Sequence, residues 1–162
     1  MGGIRAVWAL GLLGLAGIAG AAAADDPAAT VTVRLGDVAI TAEVADDTAS
    51  RRQGLSGRDQ LARNRGMLFV WSEAGPRSFW MKDTTIPLSI AFMDRRGRIL
   101  NIERMAPLRQ DRFHRSQGLA RYALEMNQGW FAQHGVEAGD RARFRLPGGP
   151  ATHPAREKAH SR

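Results

Sequence analysis

The run Ser78-Phe79-Trp80-Met81-Lys82 offers the most chemistry in the chain. Read as a strand, its alternation puts Phe79 and Met81 on one face and Ser78, Trp80 and Lys82 on the other. Phe79 and Met81 suit a core. That leaves a large aromatic beside the chain's only lysine before Lys158. An aromatic wall next to a single cation commonly holds a sugar ring or a carboxylate-bearing ligand. Asp83 follows directly. Glu125 lies in a run where Tyr122, Leu124 and Met126 alternate, so it faces the other way and is placed to reach the same cavity and pair with Lys82. Trp80, Lys82, Asp83 and Glu125 are therefore the ligand-binding candidates. The plainer alternative has Trp80 sealing a second hydrophobic layer under a helix, with Lys82 merely capping a carboxylate.

Asp83, Asp94, Glu103 and Glu125 lie in or beside expected strands, and a hydrolase pairs two such carboxylates as general acid and base. Scattered strand carboxylates more often face solvent or pair with arginine. No catalytic residue is assigned on this basis. The histidines at 114, 134, 153 and 160 lack metal-ligand spacing and read as surface residues, so no metal and no cofactor is called for. The sequence contains no nucleophile elbow, phosphate-binding glycine loop, dinucleotide fingerprint or zinc-protease helix. With no cysteine, thiol catalysis, thiolate metal sites and disulfide bridges are all excluded, and the fold rests on packing.

Lysine and arginine number 23 against 16 acids, a formal net charge of +7, and Lys82 and Lys158 are the only lysines. Such a balance favours weak, unspecific binding of polyanions such as nucleic acid, anionic lipid or acidic polysaccharide. Most of this charge reads as a solvated face. Pro107 to Arg121 carries Arg109, Arg112, Arg115 and Arg121 with Phe113 and His114. The segment is long for a connection and reads as a mobile surface loop, not as a specific nucleic-acid site.

The elements that must position these residues are short. Val31, Val33 and Leu35 alternate with polar residues, then Gly36-Asp37 precedes a second alternating run to Val44, a β-hairpin. Ala49 to Gln53, after Asp46-Asp47-Thr48 and before Gly54, is a short helix, and a second is expected from Ser56. Met67 to Trp71 is a central strand, apolar throughout. Phe79 to Lys82 is another strand, and Leu88 to Met93 with Arg98 to Met105 form a second hairpin around Asp94-Arg95-Arg96-Gly97. A strand through Tyr122 to Met126, a helix capped by Asn127 that carries Trp130 and Phe131, and a strand with Ala142, Phe144 and Leu146 on one face complete the series. The pattern predicts a mainly β chain: a small antiparallel sandwich or barrel-like domain with one or two short helices.

Residues 1–24 have the layout of a cleavable signal peptide: Arg5, an apolar run from Ala6 to Gly20, and small residues from Ala21 to Ala24. Ala6 to Ala24 falls near the lower limit for a spanning helix and is interrupted by glycines at 11, 14, 17 and 20, so no stable membrane span is expected after processing. Residues 25–30 read as a linker, 31–146 as a single β-rich domain and 147–162 as a disordered tail. The expected location is periplasmic or secreted.

Gly54-Leu55, Gly66-Met67-Leu68-Phe69, Phe79-Trp80-Met81-Lys82-Asp83-Thr84 and Ile86-Pro87-Leu88 together resemble the prokaryotic family catalogued as domain of unknown function 192. Leu124-Glu125, Gly129 and Gly139-Asp140 sit where that family's second half would have them. The resemblance spans Val31 to Leu146 and implies a small β-sandwich or barrel-like domain, with no established activity. The chain departs from the family at three places: Asp83 stands for the usual asparagine, Ser89 for an acid and Ser56 for a bulkier residue.

The leading functional expectation is a non-enzymatic domain that binds a small or polymeric envelope ligand around Trp80 and Lys82. A hydrolase using Lys82 with Asp83 or Glu125, acting on an envelope polymer or small acid, is the alternative, and a structural partner of another envelope protein is the third. Export is testable directly. Protein recovered from the medium or periplasm of a bacterial host should have an intact mass about two dozen residues short of the full chain; full-length chain held in the membrane would contradict this.

Overall fold

Alternating apolar residues pair off into sheet wherever a turn residue allows the chain to reverse. In the computed structural model, which describes residues 29–149 and Thr152, strands β1 (Thr30–Leu35) and β2 (Val38–Ala45) form the expected hairpin. They turn at Gly36, whose φ of 57° suits glycine. The expected leader, residues 25–28, and residues 150, 151 and 153–162 of the expected tail lie outside the described residues. Helix α1 (Thr48–Gln53) opens at Asp47, whose carboxylate accepts the backbone N–H groups of Ala49 and Ser50, and it ends at Gly54. Strand β3 (Arg65–Gly75) then runs parallel to β2. The short β4 (Ser78–Phe79) leads through a turn to β5 (Leu88–Met93), which pairs with β6 (Ile99–Met105) as the second expected hairpin. Next come β7 (His114–Arg115), β8 (Ala120–Asn127), α2 (Trp130–Gln133) and β9 (Ala142–Arg143).

Seven strands make one sheet in the order β6-β5-β8-β3-β2-β1-β9, while β4 and β7 pair separately. The fold is mainly β, as expected, but the sheet is mixed because β2 and β3 are parallel. It curls into a half-barrel whose ends are tied together: Arg98 bridges Arg141, and the Ala142 N–H donates to the Gly97 carbonyl at 2.9 Å. Side-chain alternation divides the apolar residues between two faces. Inside the curl lie Val33, Leu35, Ile40, Leu68, Leu124 and Met126, closed at one end by Trp130 and Phe131 of α2. The outer face carries Met67, Phe69, Leu88, Ile90, Phe92 and Ala123, covered by Leu55, Met81 and Ile86 from the connections.

Several local expectations give way to tertiary contacts. The helix expected from Ser56 is a set of turns, because Gly57 takes φ 75° and donates its N–H to the Asp83 carbonyl at 2.8 Å. The strand expected over Phe79 to Lys82 stops at Phe79. Gly129, not Asn127, stands at the start of α2; the Asn127 amide instead donates to the carbonyls of Leu61 and Ala62. The Pro107 to Arg121 segment is not a loose loop throughout, since β7 pairs with β4. Past β9, the Thr152 N–H donates to the Phe144 carbonyl at 3.0 Å, tying the start of the expected tail to the sheet.

Gly66 sits where β3 meets β8. A Cβ there would lie 2.5 Å from the Glu125 carbonyl oxygen and 2.5 Å from the Met126 sulfur. Gly66→Ala should therefore destabilise the protein by about 1–3 kcal/mol, read as a lower thermal midpoint. Gly75→Ala, whose nearest atoms belong to the flexible Arg77 side chain at 3.5 Å, should not. Equal midpoints for the two variants would show that β3 and β8 have room to separate.

Candidate functional site

Glu125 sits in the middle of β8 with Met67 of β3 on one side and Ile90 of β5 on the other. The alternation that turns Leu124 and Met126 into the curl turns Glu125 onto the outer face, among apolar side chains. It is 5% exposed. Its carboxyl makes no hydrogen bond or ion pair with any described residue, and burial pushes its pKa up to about 8. At neutral pH the group is mostly an uncharged acid, able to donate its proton to an acceptor.

A cleft of about 510 Å³ opens over it. Phe69, Trp71, Phe79 and Trp80 supply its aromatic walls, Arg51 and Arg52 line it from α1, and Lys82 and Asp83 line it from the turn after β4. Phe79 holds the wall together by packing edge-on against Phe69 at 4.8 Å and Trp71 at 6.0 Å between ring centroids. Arg51 is fixed by donating to the Val70 carbonyl at 2.9 Å and to the Asp46 carbonyl. The turn that carries Lys82 is held by its own backbone. The hydroxyls of Ser56 and Thr84 each donate to the Lys82 carbonyl at 3.0 Å, which leaves the ammonium 5.7 Å from the Trp80 ring centroid. Arg58 clamps the crossover between α1 and β3 to β2 through two 2.6 Å bonds to Glu43, and that pairing lowers the Glu43 pKa.

The sequence profile of DUF192, described as "Uncharacterized ACR, COG1430", matches residues 30–144. The chain belongs to this family. It is also similar to two solved structures. One, a "putative transcription regulator" from Sinorhizobium meliloti 1021, shares 34% identity over 71% of this chain and 92% of its own, with a TM-score of 0.66. The other, a protein of unknown function from Novosphingobium aromaticivorans DSM 12444, shares 30% identity over 70% of this chain and 82% of its own, with a TM-score of 0.63. No curated protein matches the chain.

Two of the departures from the DUF192 pattern acquire a physical meaning at this site. Asp83 takes φ 51°, a conformation that asparagine and aspartate tolerate better than most residues, so Asp83 preserves the backbone of the family's asparagine. Ser56 is an anchor of the Lys82 turn.

The structure brings all four candidate residues, Trp80, Lys82, Asp83 and Glu125, to one cleft. It does not join Lys82 to Glu125 in an ion pair. Nor does Trp80 seal a buried layer: it is 48% exposed. Of the other carboxylates, Asp94 accepts the N–H groups of Arg96 and Arg98 in its turn, and Glu103 binds His114. His114, expected at the surface, is instead buried, with Nδ1 2.7 Å from Glu103 and Nε2 without a partner among the described residues. His134 stacks on Trp130, and His153 and His160 lie outside the described residues. The sequence reading missed Arg51, Arg52 and Trp71. Two arginines in the last turn before a helix-ending glycine were the available signal, but nothing local says which surface they reach.

A larger hollow of about 660 Å³, lined by Arg34, Asp37, His134, Asp140, Arg141 and Arg143, lies at the β1–β9 end. Its charged groups are of both signs and face solvent, so water satisfies them without a ligand. The Glu125 cleft is different because its acid is largely buried among apolar side chains and has no partner among the described residues.

That difference has a thermodynamic signature. An unfolded glutamate has a pKa of about 4.3, whereas folding raises Glu125 to about 8, so between these values the folded state holds a proton that the unfolded state lacks. Stability therefore falls as pH rises through that window. Glu125→Gln carries no charge at any pH, so it should melt close to the wild type near pH 5 and above it at pH 8.5. A difference between the two that does not change with pH would overturn the burial of this carboxyl.

Proposed function

We propose that the protein is an exported, non-enzymatic binding domain whose cleft takes a small carboxylate-bearing ligand such as a sugar acid. The observation that carries this reading is the unpartnered acid of Glu125 beneath aromatic walls and a cationic rim. A bound carboxylate accepts a hydrogen bond from the protonated Glu125, its charge is met chiefly by Lys82 with Arg51 and Arg52 alongside, and its ring packs on Trp71, Phe79 or Trp80. Of these groups Glu125 and the exposed Trp80 are the ones costly to leave as they stand, and such a ligand engages both together with the solvated cations of the rim.

The hydroxyls that line the cleft support binding over covalent catalysis: Ser56 and Thr84 are committed to the Lys82 carbonyl, and Ser78 has no hydrogen bond to an activating base among the described residues. A hydrolase remains the second reading on one observation: a carboxyl whose pKa is raised to about 8 is a fit general acid, and Asp83 lines the same cleft. Transcription control, suggested by the description of one similar structure, has less support. Helices α1 and α2 have six and four residues, too short to lay a recognition helix along a groove.

The test is a titration of D-galacturonate, N-acetylmuramate, benzoate and glucose into the isotope-labelled protein, followed by amide chemical shifts. The acids should bind and glucose should not. Lys82→Met should keep the fold and weaken acid binding at least about tenfold, the worth of a charge-assisted hydrogen bond. Affinity should also fall as pH rises past about 8, where Glu125 loses its proton. Full affinity in a folded Lys82→Met protein would sink the assignment, and turnover of a glycoside that Glu125→Gln abolishes would transfer it to the hydrolase.

A further inference from the structure

The small two-stranded sheet does more than hold Lys82 near the cleft. Its register pairs Phe79 with His114, so the next positions along the ladder, Trp80 and Phe113, are opposed. Alternation then separates the pairs. Phe79 and His114 point inward, and His114 is locked by its 2.7 Å contact with Glu103. Trp80 and Phe113 point out, 48% and 53% exposed, with their rings nearly parallel at 10° and 5.9 Å apart between centroids. Trp80 lines the cleft and Phe113 does not. Aromatic surface therefore leaves the cleft on Trp80 and continues onto Phe113.

Holding it there costs free energy twice. Two large rings face water, and Leu108 at the start of the same segment takes a left-handed φ of 57° with its side chain 55% exposed. Leu108 is kept in place by donating its N–H to the Thr84 carbonyl at 3.0 Å, beside the Lys82 turn. An apolar strip built outside a cleft and fixed to its wall suits a ligand longer than the cleft.

The charges along the strip narrow the class. Arg109 is engaged by Asp111 through bonds of 2.8 and 3.0 Å, and Arg112 lies 4.0 Å from Glu103, while Lys82 stands directly over Trp80. Arg115, which shares the outward face with Phe113, has no acidic partner among the described residues, so cationic charge is concentrated at the cleft mouth by Lys82, Arg51 and Arg52 and thinner, not absent, beyond it. A phosphodiester chain, charged at every unit, wants cations all along its track. A chain of rings with apolar faces and a carboxylate that reaches the cleft wants this arrangement instead.

Resting on the reading of the cleft as a carboxylate site, we infer that the physiological ligand is an acidic glycan chain, with one carboxylate-bearing unit in the cleft and its neighbour packed on Trp80 and Phe113.

The experiment titrates the purified protein with galacturonate of one, two, three and six units, with hexathymidylate, and with vesicles of phosphatidylglycerol and phosphatidylcholine. Affinity should rise about three- to tenfold from the monomer to the short oligomers and then level off, the gain expected for one added aromatic contact. Phe113→Ala should remove that gain while leaving monomer affinity unchanged, and Phe113→Tyr should restore it. Trp80→Ala should weaken monomer and oligomer alike. Monomer binding with no dependence on length, or a length gain that survives in Phe113→Ala, overturns the glycan-chain inference and leaves the cleft reading standing. Failure of every galacturonate to bind overturns both. Tighter binding of hexathymidylate or of the vesicles than of the hexamer would give the strip to nucleic acid or to a lipid surface instead.

Discussion

Strands β2 and β3 run parallel at the centre of the sheet, and a parallel pair cannot be closed by a tight turn. The chain has to travel back along the sheet before β3 can begin, and residues 46–64 make that journey over its outer face. Everything distinctive about the cleft follows from this detour. It carries α1 with Arg51 and Arg52, it places Leu55 on the outer apolar layer, and it delivers Ser56 and Gly57 to the backbone of residues 82 and 83. The Arg58–Glu43 pair then fixes the far end of the detour to β2. An antiparallel pair joined by a tight turn would leave the outer face without Leu55 and the cleft without Arg51 and Arg52.

Covering that face creates the energetic conflict at the centre of the molecule. A carboxyl between Met67 and Ile90 resists ionisation because no nearby dipole or cation replaces the water it has lost. An apolar residue at position 125 would fit the outer layer without this penalty. The aromatic walls add to the isolation, since Phe69, Trp71, Phe79 and Phe92 interlock beside the acid instead of offering it a donor. The same isolation makes any acceptor that enters the cleft bind more strongly there than it would in water.

Much of this arrangement was legible in the chain. Period-two alternation placed Glu125 opposite Leu124 and Met126, and it separated Met81 from Trp80 and Lys82 correctly, although the strand itself stops at Phe79. Burial preference acts on each side chain whether or not the backbone stays paired. The parallel β2–β3 pair was not legible, because a parallel and an antiparallel strand carry the same alternation. Asn127 and Ser56 misled for a related reason. Both have a strong local meaning as helix caps, and both make bonds to segments distant in sequence that outweigh it. His114 was misread because its partner, Glu103, lies on another strand and brings no local signal.

Ser89 poses the remaining question, since the family resemblance read from the sequence implies an acid there. Register answers it. Ser89 is paired with Met126, whose side chain lies inside the curl, whereas its neighbour Ile90 is paired with Glu125 on the outer face. Positions 89 and 125 therefore point to opposite sides of the sheet, and no rotamer of a residue at 89 reaches the cleft. The buried Ser89 hydroxyl instead accepts the N–H of Gly129 at 3.0 Å, where the chain enters α2. A carboxylate at 89 would accept the same N–H more strongly and would serve the closure of the interior around Trp130 and Phe131. Its replacement by serine keeps that hydrogen bond in a weaker form and takes nothing from the chemistry at Glu125.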